Sequence, residues 1–368
     1  MSRLLLRAVP SHWWQFPRMI PGMRQVLFLT RKRRGRGGMQ QYTQDLWVSL
    51  QLLYGSDAKL LGPRTRSGFL LFPILAVLQS IFVARKGGII HIGDMGLSPL
   101  ARLIRWLVPN ARITATAFGL DVVYPKSWYQ WLLRHSAPAL DRIACISNAT
   151  AVALQERGVP ATHLVVIPCG IKAEEKSSLQ PSASVKNGPH LLSIGRLIPR
   201  KGIVWFLTAV LPTLLEEYPA LTYTVVGTGK MERLIKKLVH NKGLDTAVFL
   251  KENLSDAERN QLLLTSDVLV VPNIPIQGDM EGFGIVCIEA TSRGLPVIAS
   301  RIEGLQDAIL EGQTGLFFRP EDPEDCLRAV HVLLRHPFGR ASVIRTTYEH
   351  YDWDMLIQRY HHELFSTL

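Results

Sequence analysis

The sequence predicts an α/β protein made of two doubly wound domains that face a central cleft, and three observations support this. The chain has 368 residues, and a domain usually takes about 100–200 residues, so this length favours two domains. Short leucine-rich and β-branched runs bounded by Gly, Pro or Asn alternate with longer helical patterns, as in parallel sheets with crossover helices. A polar segment without apolar periodicity, residues 172–189, divides this alternation and is predicted to be a linker.

Strands are predicted where short apolar runs end at turn residues. Before the linker they cover 25–30, 89–92, 112–118, 142–147 and 164–168, and after it 190–194, 222–227, 247–250, 268–272, 296–300 and 315–318. The first domain is assigned to 25–171 and the second to 190–346, with an amino-terminal extension over 1–24 and a terminal helix over 347–368. Ligands of open α/β sheets bind beyond the carboxyl ends of the strands, so we expect each domain to hold one substrate in the cleft.

Positive charge is concentrated in the first domain. The net charge of +12 divides into 24 basic and 8 acidic residues up to residue 190, and 18 basic and 22 acidic residues after it. An excess of this size is typical of proteins that bind phosphate, nucleic acid or an anionic membrane surface. Its confinement to one domain predicts two different binding partners.

Two segments bear on membrane contact. Residues 68–84 carry no charge over 17 positions, but they include Pro73 and are at the lower length limit for a spanning helix. We expect a helix buried in the first domain, with monotopic insertion and a true span as the alternatives. Residues 4–20 place Trp13, Trp14 and Phe16 among arginines, a pattern that suits either the headgroup zone or a disordered leader.

The cysteines and the amino terminus favour a protein of the reducing cytoplasm. The four cysteines are widely spaced and form no CxxC or Cys/His cluster, which argues against a disulfide framework and against a zinc site. Residues 1–24 lack a charge-free apolar core followed by a small-residue cleavage site, so they do not resemble a secretory signal.

The strongest motif covers residues 279–290 (DMEGFGIVCIEA), which follow a predicted buried strand and open a helix. Gly282 and Gly284 let a ligand approach backbone amides at the positive end of the helix dipole, where a diphosphate binds well. Glu289, deeper in the helix, could accept both hydroxyls of a ribose, and Glu281 at the mouth could meet sugar hydroxyls. The alternative is an acidic first turn that only stabilises its own helix.

A second motif, residues 195–202 (GRLIPRKG), forms a turn between a strand and a helix. Arg196 can grip phosphate oxygens in a bidentate fork and Lys201 can add a point charge, so both would neutralise a leaving diphosphate. A solvated basic loop is the alternative. Gly227 and Gly229 form a Gly-x-Gly turn after another strand, which is a weak signal because such turns often serve packing alone.

A glycine-rich loop in the first domain, residues 35–38 (GRGG), precedes a helical run and predicts a cradle for an anion or a substrate. The loop lacks the GxGxxG spacing and the later acid of a dinucleotide fingerprint, so NAD binding is not expected. Residues 31–34 (RKRR) next to it favour anionic lipid or substrate phosphate over nucleic acid, and a solvated cluster is the alternative.

Together these residues resemble the retaining, family-four glycosyltransferases of the GT-B architecture, over nearly the whole chain from about residue 25. The resemblance rests on 35–38, 118–121 (FGLD), 147–150 (SNAT), 167–171 (IPCGI), 195–202 and 281–289. The last two segments are the most specific.

This resemblance implies that the second domain binds the donor, a UDP- or GDP-sugar. Arg196 and Lys201 would contact the diphosphate and Glu289 the ribose. Glu281 and the amides of Gly282, Phe283 and Gly284 would address the donor sugar, and the base would lie near Gly227, Gly229 and Leu250. No metal and no other cofactor is expected, because basic side chains and helix amides stabilise the departing diphosphate.

The resemblance also implies a role for the first domain, whose Gly37 and Gly38 would approach the reacting centre while the terminal helix crosses back onto this domain. Together with the basic charge it predicts transfer of a hexose or N-acetylhexosamine to a lipid-linked or glycan acceptor, at an anionic membrane surface and without nucleic acid. Such a protein would be cytoplasmic, peripheral to the inner face of the cell membrane, and active in polysaccharide or glycolipid synthesis. The alternatives are a nucleotide-sugar epimerase, a soluble-acceptor transferase and a non-catalytic scaffold.

Phe118 is a departure from the family pattern, which commonly has His at this position. Phe cannot hydrogen-bond a hydroxyl or exchange a proton. His91 could substitute in part, or it could be a satisfied residue at a strand end. Asp121 could position the acceptor or cap backbone amides of its own turn.

Overall fold

The computed structural model describes residues 24–31, 37–63, 68–172 and 188–366. Within them the chain forms two six-stranded parallel sheets covered by helices, so the predicted α/β class and two-sheet architecture are confirmed. The amino-terminal extension, most of the predicted linker and residues 32–36 lie outside the described residues.

The first sheet contains β1 (Val26–Leu29), β2 (Ala58–Leu61), β3 (Ile89–Ile92), β4 (Arg112–Ala117), β5 (Arg142–Cys145) and β6 (Leu164–Val166). Its order is β2-β1-β3-β4-β5-β6, with every pair parallel. Five of these strands were predicted, and β2 was missed. It is an edge strand of four residues in which only Ala58 is buried, so it lacks the apolar run that marks the others.

The second sheet contains β7 (His190–Ile194), β8 (Thr222–Val226), β9 (Val248–Lys251), β10 (Val268–Val271), β11 (Val297–Ser300) and β12 (Gly315–Phe318). Its order is β12-β11-β10-β7-β8-β9, again parallel throughout. All six strands were predicted from short continuous apolar runs. Burial on both faces produces such runs in β10 and β11, and the edge strand β9 has one although only its Val248 is buried.

Helices cover both faces of each sheet. Around the first sheet they are α1 (Gly38–Tyr54), α2 (Gly68–Arg85), α3 (Ser98–Leu107), α4 (Leu120–Val123), α5 (Ser127–Ser136) and α6 (Asn148–Gln155). In the rest of the chain they are α7 (Ile203–Ala209), α8 (Leu211–Glu217), α9 (Glu232–Asn241), α10 (Asp256–Thr265), α11 (Ile285–Thr291), α12 (Leu305–Ala308), α13 (Pro323–Arg335), α14 (Arg340–Tyr351) and α15 (Trp353–Arg359). Polar caps define several helix starts: Ser255 and Glu258 form a reciprocal capping box at α10.

The charge-free segment forms α2, which is buried on one face only. Phe72, Ala76 and Val83 pack into the core beneath the first sheet, while the opposite face of the helix is exposed. The expectation of a helix buried in the domain therefore holds for one face and is wrong for the other. No helix in the described part of the chain has the length and apolar character needed to cross a membrane.

The end of the chain packs against the first domain. α14 contacts α11 of the second domain, and then Ile171 pairs with Asp352 where the chain crosses over. α15 and a π-helical turn, Tyr360–Ser366, follow along α1, where the Tyr360 hydroxyl lies 2.5 Å from that of Tyr42. Since α14 is continuous through residue 347, the predicted boundary there falls inside a helix.

Candidate active site

The two central strands of the second sheet bring the strongest motifs together. β7 and β10 are neighbours because the chain runs outward from β7 to β9 and then returns to the other side of β7. The carboxyl edge at such a reversal is the usual ligand position in open α/β sheets. The turn after β7 carries Arg196 and Lys201, and it lines a cleft with Gly195, Val226 and Asn273.

Glu281 is the centre of a charged cluster at this edge. Its carboxylate accepts hydrogen bonds from Lys201, from Arg200 at 2.6 Å and from Asn273 at 2.9 Å. Burial alone would raise the pKa of Glu281, but the charges of Lys201 and Arg200 lower it to about 2. The carboxylate therefore stays ionised at every physiological pH, so it accepts hydrogen bonds and does not donate them.

Four residues of this cluster were not predicted as site residues: Arg200, Asn273, Asp279 and Glu303. The Arg200 side chain is only 2% exposed and bridges Glu281 to Asp279, which lies 3.1 Å from its Nε. Glu303 has a left-handed backbone, with φ 45°, and its carboxylate accepts the backbone N–H of Glu281 at 2.5 Å. Arg200 is adjacent to Lys201 in a basic turn, and only the fold shows that its side chain points inward. Backbone strain of the kind at Glu303 is often found at functional sites.

The turn with Gly227 and Gly229 packs directly on the turn with Arg196. A side chain at Gly227 would collide with the carbonyl group of Gly195, and one at Gly229 with that of Leu197. Packing alone therefore explains why glycine stands at both positions, which is the alternative that was given for this Gly-x-Gly turn. Leu250 is on β9, next to β8, and the N–H of Gly227 donates to the carbonyl of the next residue, Lys251.

Glu289 is in α11 and forms an ion pair with Arg259 of α10, a residue not singled out in the sequence. Asp45, on α1 of the first domain, interacts electrostatically with Glu289 and forms an ion pair with Lys172. Burial raises the pKa of Asp45, and the charge of Glu289 contributes in the same direction, while Lys172 opposes both. The sequence did not suggest Asp45, because the acid is isolated on an ordinary helix.

The glycine motif before α11 lies against the first domain. A Cβ atom at Gly282 would collide with the carbonyl oxygen of Phe118, and Gly119 is also close to Gly282. Gly284 has φ 87° at the start of α11, a backbone conformation that favours glycine. Phe283 is 2% exposed, and its ring packs 6.0 Å from the Tyr351 ring, so its side chain does not face the cleft.

A second contact closes the same side of the cleft. The Asp307 carboxylate, from the second domain, accepts the backbone N–H of Asn148 at 3.0 Å and also its side-chain amide. Asn148 begins α6, so the carboxylate lies at the positive end of a helix of the other domain. Burial raises the pKa of Asp307 to about 6.

Asp121 acts as a cap. Its carboxylate accepts the backbone N–H of Met95 at 2.9 Å and that of Phe118 at 2.8 Å, and only 6% of the residue is exposed. Burial and the charge of nearby Asp94 raise its pKa to about 7. This geometry favours the capping interpretation over contact with an acceptor.

His91 lies inside the first sheet and not at the cleft. Its ring is fully buried, with Nδ1 2.9 Å from the Thr114 hydroxyl and Nε2 3.0 Å from that of Thr116. Burial lowers its pKa to about 3, so the imidazole is neutral. These contacts favour a satisfied strand residue. Phe118 is likewise buried, with its ring edge-on to Tyr42 at 5.1 Å.

Only part of the first-domain glycine loop is described. Gly37 precedes α1 and Gly38 is its first residue, close enough to Ile285 that an added Cβ would lie 3.2 Å from Cδ1 of that side chain. Residues 32–36, which include most of the basic run, lie outside the described residues. Among the described residues, no three His, Cys, Asp or Glu side chains are grouped so as to hold a metal ion.

Two family models match the chain in succession. The description of the first is Glycosyltransferase Family 4, over residues 25–175, and that of the second is Glycosyl transferases group 1, over residues 174–350. Their junction coincides with the polar segment between the two sheets.

Known proteins similar to this chain include two curated enzymes. A sulfoquinovosyl transferase of Arabidopsis thaliana is 31% identical over 186 residues, which are 48% of this chain and 33% of that protein. A GDP-mannose-dependent phosphatidylinositol monomannoside mannosyltransferase of Mycolicibacterium smegmatis is 26% identical over 70% of this chain and 69% of its own. The chain thus spans only about a third of the length of the Arabidopsis protein.

The fold is shared with solved structures. An Anabaena protein crystallised with UDP matches with a TM-score of 0.72 at 17% identity, over 94% of this chain and 100% of that one. At this identity the likeness concerns the arrangement of the two sheets.

Proposed function

The chain belongs to the GT-B glycosyltransferases of family 4 and group 1, and on this basis we propose that it transfers a hexose or N-acetylhexosamine from a UDP- or GDP-sugar to a membrane-associated acceptor, with retention of configuration. The observation that carries the proposal is the cluster of Glu281, Lys201 and Arg200 at the strand-order reversal of the second sheet. This cluster combines a fixed carboxylate with cations at the edge where donors bind in such sheets.

Stabilising the leaving diphosphate is the main chemical task in this proposal. When the bond between the sugar and the diphosphate breaks, negative charge develops on the phosphate oxygens. Lys201 and the exposed Arg196 are on one turn and can meet these oxygens from the same side. Lys201 can turn towards the diphosphate without isolating Glu281, because Arg200 and Asn273 continue to hold that carboxylate.

Glu281 and Glu289 would bind the sugar and the ribose of the donor. Glu281 is ionised and anchored by its neighbours, so its oxygens are suited to accept hydrogen bonds from sugar hydroxyls. Glu289 would accept the ribose hydroxyls once it exchanges part of its contact with Arg259. The mycobacterial relative that uses GDP-mannose and the Anabaena protein bound to UDP keep both nucleotides as candidates.

We infer the class of acceptor from the charge of the first domain. Its excess of basic residues suits a phosphate-bearing or anionic acceptor, and the phosphatidylinositol substrate named for the mycobacterial relative is of that kind. We place the reaction in polysaccharide or glycolipid synthesis, at the inner face of the cell membrane and with no metal or other cofactor.

The test is incubation of the purified protein with radiolabelled UDP- and GDP-sugars and a lipid extract, with and without EDTA. We expect transfer of one sugar to a lipid product, unchanged by EDTA, with the anomeric configuration of the donor kept in the product's NMR spectrum. Transfer to soluble acceptors alone would favour a soluble-acceptor transferase. Nucleotide binding without turnover on any donor would contradict the proposal.

A further inference from the structure

The outer face of α2 exposes an unusual number of large apolar side chains. Six of them are solvent-exposed along 18 residues of helix: Leu70, Leu71, Ile74, Leu75, Leu78 and Phe82. Leu70, for example, is 81% exposed. A soluble protein scatters such residues singly, and a contiguous apolar strip marks a surface that binds something.

The neighbouring helices continue this surface. α2 packs against α3, and α3 against α5, in one layer on the same side of the first sheet. α3 exposes Leu103, Trp106 and Leu107, and α5 exposes Trp128 and Trp131. These three helices thus carry 11 of the 18 large apolar side chains exposed among the described residues, whereas the second domain carries three. We call this outer surface of α2, α3 and α5 the apolar face.

The charge of the apolar face has one sign. The sequences of the three helices contain no Asp or Glu, while Arg85, Arg102 and Arg134 are exposed on them. Lys86 follows α2 directly and its ammonium lies 4.1 Å above the Phe82 ring. A basic group stacked on an apolar one is the arrangement in which a side chain lies along apolar material while its charge reaches headgroups.

We propose that the apolar face docks onto an anionic lipid bilayer, with its leucines and aromatic rings in the boundary between headgroups and acyl chains and its basic groups on the phosphates. The inference rests on the proposed function, because a membrane-associated acceptor is what makes such docking useful. The inference adds to that function the surface through which the protein contacts the membrane.

A bilayer fits this surface better than a second copy of the chain. Tryptophan is enriched at membrane interfaces because its ring is apolar and its N–H is polar, and three tryptophans line this face. The arginines would meet like charges on a second copy related by twofold symmetry, whereas anionic headgroups attract them.

The topology also places one end of the apolar face near the cleft. Since the strands are parallel, helices between them begin at the carboxyl edge of the sheet and end at the amino edge. The first turns of α2 and α5, with Leu71 and Trp128, are thus towards the cleft, and Arg85 and Arg134 are at the far end. A lipid-linked acceptor held in a docked membrane would present its headgroup near the cleft.

The first experiment measures binding of the full chain to sedimented vesicles of phosphatidylcholine with or without phosphatidylglycerol. We expect binding to the anionic vesicles, reduced by high salt, and a loss of about tenfold or more in the double variant Leu71→Gln with Leu78→Gln. Leu234→Gln is the matched control, because Leu234 is an exposed leucine on a helix of the second domain. Equal binding by the double variant and the wild type would overturn the proposal.

The second experiment tests which part of the protein contacts the membrane. All four native cysteines are buried, so a polarity-sensitive thiol dye can be attached selectively at Leu75→Cys or, as control, at Leu234→Cys. We expect a blue shift on adding anionic vesicles at position 75 and none at position 234. A blue-shifted signal at position 75 before vesicles are added would show that a second copy or another part of the chain covers this face, and it would overturn the proposal.

Docking and catalysis are read out separately. A protein that sediments with vesicles but transfers no sugar contradicts the proposed function and leaves the docking intact. A protein that glycosylates a detergent-solubilised lipid but ignores vesicles contradicts the docking alone.

Discussion

At the residue scale, the main result is how Glu281 is held. A carboxylate this buried would ordinarily be costly, and here Lys201, Arg200 and Asn273 satisfy it together. Since two cations share one carboxylate, either can move without leaving the charge unpaired. The cluster therefore combines a rigid acceptor with a lysine that can change partner.

Glu281→Gln should destabilise the fold in a pH-dependent way. The pKa of Glu281 is lowered from an ordinary 4.5 to about 2, so its ion pairs stabilise the fold above pH 4.5 and this stabilisation is lost as the pH falls from 4.5 towards 2. We expect the variant to lose roughly 3 kcal/mol of unfolding free energy at pH 7 and progressively less below pH 4.5. Urea unfolding at several pH values measures this.

The control for that prediction is Glu349→Gln, since the Glu349 side chain is 57% exposed. We expect it to change the unfolding free energy little at any pH. A constant difference between Glu281→Gln and the wild type from pH 7 to pH 3 would show that the carboxylate is not held as described.

Arg196→Ala separates catalysis from folding. The Arg196 side chain is exposed on its turn, so its removal should leave the melting temperature unchanged while turnover falls by about 10²-fold through lost stabilisation of the leaving diphosphate. Lys201→Ala should lower turnover similarly. Lys237→Ala, in an exposed part of α9, is the control. Normal turnover in both site variants would refute the diphosphate assignment.

At the scale of elements, the close approach of two loops brings the domains together. The loop before α11 touches the loop after β4 through Gly282 and the Phe118 carbonyl, and the backbone N–H of Asn148 at the start of α6 donates to the Asp307 carboxylate. Glycine at position 282 is required by space and not by its backbone angle, because only Gly284 has a positive φ there.

Gly282→Ala should accordingly hold the two loops apart. We expect a decrease of about tenfold in kcat/KM, since a displacement near 1 Å at a reacting centre is costly. The melting temperature should also fall, because the added Cβ would lie 2.1 Å from the Phe118 carbonyl oxygen. Gly339→Ala is the matched control, because a Cβ atom there meets nothing within 4 Å. Unchanged kinetics for Gly282→Ala would mean that the observed contact plays no part in turnover.

At the scale of the whole molecule, the end of the chain ties the two domains together. After α14 packs on the second domain, α15 and the π-helical turn bury Tyr360 against the first. The Tyr360 hydroxyl contacts both Tyr42 and Thr116. The terminal segment thus adds to the core of the first domain, in which Tyr42 lies 318 residues earlier in the chain.

Tyr360→Ala should destabilise the first domain by about 3–5 kcal/mol, because it leaves a cavity in a fully buried position. Tyr360→Phe should cost only about 1–3 kcal/mol, since it removes the hydroxyl and leaves Tyr42 short of a partner. Tyr124→Ala is the control, because Tyr124 is 46% exposed. Urea unfolding would contradict this account if Tyr360→Ala were no less stable than the control.

The sequence was sufficient to predict the fold, and it located the two motifs that we assign to the donor. Short continuous apolar runs predicted eleven of the twelve strands. The edge strand β2 was not predicted, because Lys59 interrupts its apolar run. The glycine and glutamate spacing of residues 281–289 and the basic turn at 195–202 are local patterns, so they too were legible.

What a side chain faces is decided only when distant segments meet. Arg200 and Arg196 belong to one basic turn, yet one is buried on Glu281 and the other is exposed. His91 and Asp121 seemed available for chemistry until packing placed threonines and backbone amides around them. Likewise the charge-free run 68–84 predicted a helix, but which of its faces is buried depends on where the first sheet lies. Hydrophobic pattern and spacing are local, whereas burial and pairing arise between residues far apart in the chain.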